Sequence, residues 1–323
     1  MPRPHRPALV LLAAALLIPL GLVLARGSGA ISGQFGMPRG LSVQFPSCGQ
    51  CHDSFPNSRG TVKLEIQSPR SIQVGSKAPV TLKLSGGPQS KRGGFNLLSD
   101  RGSFIAGTNT KLANNGLEIT HSSSLSRSWT FGFQATQTGL QQWTAVGNAV
   151  NGNGRNSGDS WGFYGLDSSS PGEPYRVYAN DRTVLAFGSS CAGDKGYQAL
   201  LGMPKAARLG ASFTTELYDV PQGKVTLCLM GISRTRFGAA LLPLDLGFLG
   251  MKSCSLYVSM DFHQAVVTSG QAGPGSGQAK VTWALPMIPA LRGNKLYFQH
   301  MTLDSKANGL GISMSHALEA RIQ

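Results

Sequence analysis

Acidic side chains are scarce in this chain: 15 Asp and Glu in 323 residues, against 29 Lys and Arg, for a net charge of +14. Carboxylates this few, and not paired in aromatic-lined stretches, argue against the two-carboxylate machinery of glycoside hydrolysis. Gly-x-Ser-x-Gly and His-Glu-x-x-His are both absent, which removes the nucleophile elbow and the zinc-protease helix. His263, His300 and His316 are scattered and read as strand-surface residues, so no enzyme is expected, at most a redox carrier. Long basic runs are missing as well. The densest cluster is Lys91-Arg92, and no nucleic-acid-binding motif accompanies it. The basic excess therefore points to an anionic cell-surface polymer or lipid, or an acidic redox partner protein, and not to specific nucleic acid. No pattern predicts a helix of three turns after the first thirty residues. The 42 glycines have no period of three, which excludes collagen.

What is present begins with a targeting segment. Arg3, His5 and Arg6 precede the apolar run Ala8–Ala25, and Ser28 and Ala30 supply small residues for a signal-peptidase cut. Eighteen apolar residues also reach the lower limit for spanning a bilayer, so residues 1–30 read as a cleaved signal or an uncleaved anchor. Either way the chain is expected in the periplasm, at the cell surface or outside the cell, touching membrane only through that segment.

From Thr61 onward the pattern is alternation. "TVKLEI" places Val62, Leu64 and Ile66 on one face, and "PVTLKL" does the same with Val80, Leu82 and Leu84. "GGFNLLS", "GLEITHSS", "SWTFGFQA" and "QQWTAVGNAV" continue the series, each bounded by Gly, Asn or Ser. A second β-rich region follows, from "RTVLAFG" to the closing "GLGISMSHALEARI". The predicted fold is all-β: two tandem antiparallel β-sandwiches, at 31–160 and 184–323, joined by a Gly/Asn/Ser/Pro-rich linker at 161–183. Trp129, Trp143, Trp161 and Trp283 could line a carbohydrate face, though core tryptophan is the commoner role in a sandwich. Four methionines of the second region, Met203, Met230, Met251 and Met260, also read as core.

Two cysteines and a histidine carry the chemistry. "CGQCH" places Cys48, Cys51 and His52 in the Cys-x-x-Cys-His spacing that attaches c-type haem: two thiols for two vinyl groups and an imidazole for the iron. The competing reading is a Cys48–Cys51 disulfide with His52 at the surface. Five cysteines are an odd number, so at least one is unpaired, bound to a cofactor or paired between chains. Cys228 lies in an alternating apolar strand and reads as a buried thiol. Zinc on Cys48, Cys51, His52 and His121 is disfavoured, because adjacent Cys51 and His52 rarely serve one tetrahedral ion. Calcium at the Asn/Asp-rich loop 148–159, with Asp159 as an oxygen ligand, has no EF-hand pattern behind it.

In order, "CGQCH", "GGFNLLS", "GLEITHSS", "SWTFGFQA" and "WTAVGNAVNGNGRNSGD" resemble the bacterial reeler-like domain of the choice-of-anchor V type, over about residues 36–160. The resemblance implies an immunoglobulin-like sandwich in an exported protein. It also places a Thr-His at Thr120-His121, which makes His121 a candidate second axial ligand; the alternative is a polar strand residue facing solvent. Met37 is a substitute ligand on nearness alone, and Phe45, Phe55 and Phe95 are candidates to flank the porphyrin. Two histidine ligands would favour electron transfer over substrate activation. The second region, with "FGSSCAGDKG", "GMPKAARLGASFTTEL" and "LLPLDLGFLGMKSCSLYVS", resembles a C-terminal β-domain of large secreted planctomycete- and myxobacterium-type proteins. That resemblance implies a Cys191–Cys254 disulfide and no catalytic role. The expected function is an electron-carrying mono-haem c protein of the cell envelope; the alternative is a haem-free surface adhesion or scaffolding protein.

Overall fold

Alternating β-branched and aromatic residues punctuated by Gly and Asn fold here into short strands, antiparallel except where Ser71–Gln73 pairs with Tyr175–Asn180, and the computed structural model of the chain describes residues 48, 52, 57, 61–168 and 173–323. The predicted targeting segment 1–30, together with Met37, Phe45, Cys51 and Phe55, lies outside the described residues. Among the described residues the helical segments are four single 3-10 turns, and no helix is long and apolar enough to cross a membrane.

The first unit contains β1 (Val62–Gln67), β2 (Ser71–Gln73), β3 (Lys77–Gly86), β4 (Gly93–Ser99), β5 (Ser103–Ile105), β6 (Thr110–Ala113), β7 (Glu118–His121), β8 (Ser128–Gln134), β9 (Gly139–Ala149), β10 (Ser160–Phe163) and β11 (Tyr175–Asn180). One sheet runs β1-β3-β8-β5; the other runs β2-β11-β9-β4-β7-β6, with β10 also on β9. Val62, Leu64 and Ile66 point inward from β1, as the alternation requires, and meet Val80, Leu82, Phe95, Leu97, Trp129, Phe133 and Trp143 in the core between the sheets. The expected linker at 161–183 is corrected: β10 pairs with the second half of β9, and β11 pairs with its first half. Both strands complete the first sandwich, whose chain therefore runs to Asn180. Gly- and Ser-rich composition hid them, while Trp161, Phe163, Tyr175 and Tyr178 bury them.

The second unit contains β12 (Val184–Phe187), β13 (Leu200–Gly202), β14 (Ser212–Val220), β15 (Val225–Gly231), β16 (Arg236–Phe237), β17 (Ala240–Leu241), β18 (Leu244–Asp245), β19 (Ser255–Leu256), β20 (Phe262–Val267), β21 (Ser269–Gly270), β22 (Gly277–Ala284), β23 (Lys295–Leu303), β24 (Ile312–Met314) and β25 (Ala317–Arg321). Sheet β12-β25-β23-β15-β20 faces sheet β13-β14-β22-β21, enclosing Phe213, Leu217, Val281, Trp283, Phe298 and Leu318. The outer face of the larger sheet is not left to solvent. The hairpins β16–β17 and β18–β19 fold over it and bury Leu229, Leu256, Val258, Tyr297 and Met314 in a third layer. The Cys191–Cys254 disulfide, spanning 63 residues of sequence, sits inside that layer. The pairing implied by the resemblance is present.

The units meet through charge. Arg70 and Arg176, both from the first, pair with Asp219 of the second, whose carboxylate is almost fully buried. Asp219 adopts φ of 60°, in the left-handed region, at a register shift in β14. Tyr178 donates to Glu216 at 2.8 Å and lies against Gly202, where a Cβ would stand 2.1–2.2 Å from its ring. Glycine at 202 is what lets the two sheets approach.

Candidate functional site

His52 is held by a partner 107 residues away: its Nδ1 lies 2.8 Å from Oδ2 of Asp159. Asp159 is buried while the His52 side chain is 16% exposed, so the carboxylate orients the ring from beneath. Its other oxygen accepts the Asn151 N–H, at 2.8 Å. Asn151 and Asn153 close the turn by accepting the Asn153 and Arg155 N–H groups, which is why the run needs Asn at those two positions. The loop thus spends both Asp159 oxygens, one on His52 and one on the Asn151 N–H.

Cys48 and His52 form one turn, with the His52 N–H donating to the Cys48 carbonyl at 2.9 Å. Cys48 packs on Val146, Trp161 and Phe163. Trp143, Ala145 and Ala149 of β9 point into the sandwich core, so alternation sends Val146 to the outer face, with Phe163 directly opposite it in register. Burying Trp161 and Phe163 there contributes about 1.5–3 kcal/mol for each side chain. Asn57 docks the following stretch on the same face: its N–H donates to the Trp161 carbonyl, and its Oδ1 accepts the Val62 N–H. Cys51 lies outside the described residues, and so does the question of what it bonds.

His121 is buried, not solvent-facing as one reading had it. Its ring lies against Phe95 and Trp129 and over Gly94, in the space a Cβ at that position would fill. Burial pushes its pKa down to about 4, which keeps the ring neutral at ordinary pH. The Phe95 N–H reaches His121 Nδ1 at 3.0 Å, and a backbone N–H can only donate. The Phe95 carbonyl lies 3.2 Å from the same nitrogen, so the tautomer decides whether Nδ1 accepts from the N–H or donates to the carbonyl. In both forms Nδ1 is engaged by the Phe95 backbone, which leaves Nε2 as the nitrogen a metal would take. The register places Gly94, Asn148 and Trp161 in one row across β4, β9 and β10. Two strand spacings, about 10 Å, thus separate the His121 end of the row from the Cys48 end. Asn148 in the middle is buried, and among the described residues its Oδ1 has no partner.

The remaining expected residues fall elsewhere. Cys228 is a buried thiol, raised to about 12 by desolvation and 3.4 Å from Thr215 Oγ1. His300 and His316 are fully or nearly buried, a correction to the strand-surface expectation; burial pushes their pKa values down to about 3 and about 4. Both faces of the larger second sheet are covered, which alternation alone does not reveal. All four tryptophans are buried rather than arrayed on a surface, and Met203 and Met251 are core, while Met260 is exposed. Asp159 was overlooked as the partner of His52, because no local pattern links positions so far apart.

No protein-family model matches the chain, and no curated protein matches it. A marsupial T cell receptor is similar in structure at a TM-score of 0.23 and 12% identity, covering 80% of this chain and 94% of the receptor. With its nearly all-β sheets, the chain folds as stacked β-sandwiches.

Proposed function

We propose that this is an exported c-type haem protein of the cell envelope, with haem held by Cys48 and Cys51 and His52 as the axial ligand. The observation that carries the reading is the His52–Asp159 pair. A ligating histidine characteristically gives its second ring nitrogen to a carboxylate, which fixes the tautomer and leaves Nε2 as the coordinating atom. Here Nδ1 is engaged at 2.8 Å by a buried carboxylate, directly after the Cys-x-x-Cys spacing. The resemblance of 36–160 to reeler-like domains supports export and the same placement of the motif.

On the His52 side the donor set fits. His121 lies two strand spacings along the row, with Nδ1 engaged by the Phe95 backbone, so the present arrangement favours one protein ligand from the described residues. Haem, when bound, would supply one-electron exchange at iron. The chain's own residues would orient the His52 imidazole through Asp159 and wall one side with Trp161 and Phe163. The test is a pyridine haemochrome spectrum of the mature protein made with a c-type maturation system, beside Cys48→Ala/Cys51→Ala. A c-type spectrum that survives acid-acetone extraction and vanishes in the variant is expected. A colourless protein would leave the haem-free surface adhesion or scaffolding reading.

A further inference from the structure

Between the two sandwiches lies a cavity of about 440 Å3, walled by Tyr164, Tyr175, Arg176, Glu173, Tyr197 and Gln271. A second hollow of about 310 Å3 adjoins it along the junction and shares Arg176 and Gln271 in its lining. Cavities of this size at domain interfaces, with aromatic walls and a few convergent polar groups, are the usual form of a ligand site.

The polar groups here are only partly used. Arg176 spends Nη1 on Asp219 and on the Gly275 carbonyl. Among the described residues its Nε–H and Nη2–H make no hydrogen bond. Those two parallel donors form the side-on fork that grips a carboxylate in bidentate fashion, a geometry lysine cannot reproduce. The Tyr164 hydroxyl likewise has no partner among the described residues, although its ring is packed edge-on against Tyr175. Burial holds the phenol above its ordinary pKa, so it stays protonated and able to donate. Glu173, fixed by the Tyr197 hydroxyl, and the Gln271 amide add acceptors beside these donors.

We propose that this groove binds an acidic oligosaccharide, a uronic-acid chain, with its carboxylate on the Arg176 fork and its hydroxyls on Tyr164, Glu173 and Gln271. The two adjoining hollows suit a chain of several sugars rather than one. Tyrosine hydroxyls beside planar amide, guanidinium and carboxylate groups match the hydroxylated surface of a pyranose ring. The net charge of +14 favours encounter with a polyanion. The inference needs no haem and is tested on protein made without haem maturation.

The experiment is calorimetric titration with hexagalacturonate, beside neutral maltohexaose and the peptide hexaglutamate. Wild type is expected to bind hexagalacturonate and neither of the others. Arg176→Lys keeps the charge facing Asp219 but removes the fork, and should weaken binding at least tenfold. Tyr164→Phe removes a hydroxyl that no described residue uses, so urea unfolding should be unchanged while affinity falls about two- to tenfold, the loss of one hydrogen bond. Absence of hexagalacturonate binding by the wild type overturns the proposal. So does equal binding by Arg176→Lys, and so does equal binding of maltohexaose or hexaglutamate, the latter making the groove a peptide site.

Discussion

Removing the second unit's disulfide, as Cys191→Ala/Cys254→Ala, tests the three-layer arrangement quantitatively. The bond closes 63 residues of chain. In the chain-entropy relation a loop of that length restores about 14 cal/mol/K to the unfolded ensemble when cut, or about 4 kcal/mol at 25 °C. Both sulfurs lie among Leu229, Met251, Leu256 and Met314, which remain packed when alanine replaces cysteine. The loss should therefore come from the loop and fall on the unit that contains it. Hydrogen exchange followed by mass spectrometry separates the units: amides in β15, β23 and β25 should exchange about a thousandfold faster, at 1.4 kcal/mol per tenfold, while those in β3 and β8 keep their protection. An acceleration below tenfold would refute the argument, because the hairpin layer would then hold by packing alone.

Acid should destabilise the fold through its buried neutral histidines. His121, His300 and His316 have folded pKa values depressed to about 4, about 3 and about 4, below the ordinary 6.5. The unfolded chain therefore binds more protons once pH drops below 6.5, and each histidine withdraws about 1.4 kcal/mol per pH unit until its folded pKa is reached. Urea midpoints at pH 7, 5.5 and 4.5 should fall steadily, and His300→Gln should flatten the slope; a midpoint constant down to pH 4.5 would contradict this. Gly202→Ala would drive a Cβ into the Tyr178 ring, at a cost of about 1–3 kcal/mol. Limited proteolysis near residues 181–183 should then accelerate, and an unchanged rate would remove the close-approach argument. Gly94→Ala should displace the His121 ring in the same way; its imidazole would move toward solvent and its pKa back toward 6.5, read by NMR titration.

Local alternation made β1, β3 and β8 legible, since each has one face in a core and one toward solvent. It failed where a sheet is covered twice. β10 reads "SWGF" with every residue buried, so there is no alternation to see, and its glycine and the Asn/Gly turn before it suggested a linker. His300 faces the core between the sheets, with its Nδ1 3.3 Å from Thr226 Oγ1, yet in sequence it looks like any polar residue in a strand. The candidate site divides the same way. Cys-x-x-Cys-His is contiguous and was visible at once, and Thr120-His121 came from a resemblance. Asp159 became its partner only through the pairing of β9 with β10, which carries the end of the Asn-rich loop to His52.

The Arg70–Asp219–Arg176 cluster bears on how this chain can be divided. Each unit holds half of an ionic lock, two cations on one side and a buried anion in a left-handed backbone on the other. Excised alone, the first unit would carry two guanidiniums repelling each other across an open edge. The second would carry a carboxylate held in an unfavourable conformation with nothing to neutralise it. Asp181, where the first sheet ends, looks like the natural place to cut, yet either fragment would inherit an unbalanced charge and a bared apolar seam at Tyr178 or Gly202. Gene fusions and truncations that respect this protein's chemistry will keep both units in one piece, with Cys48 and His52 attached.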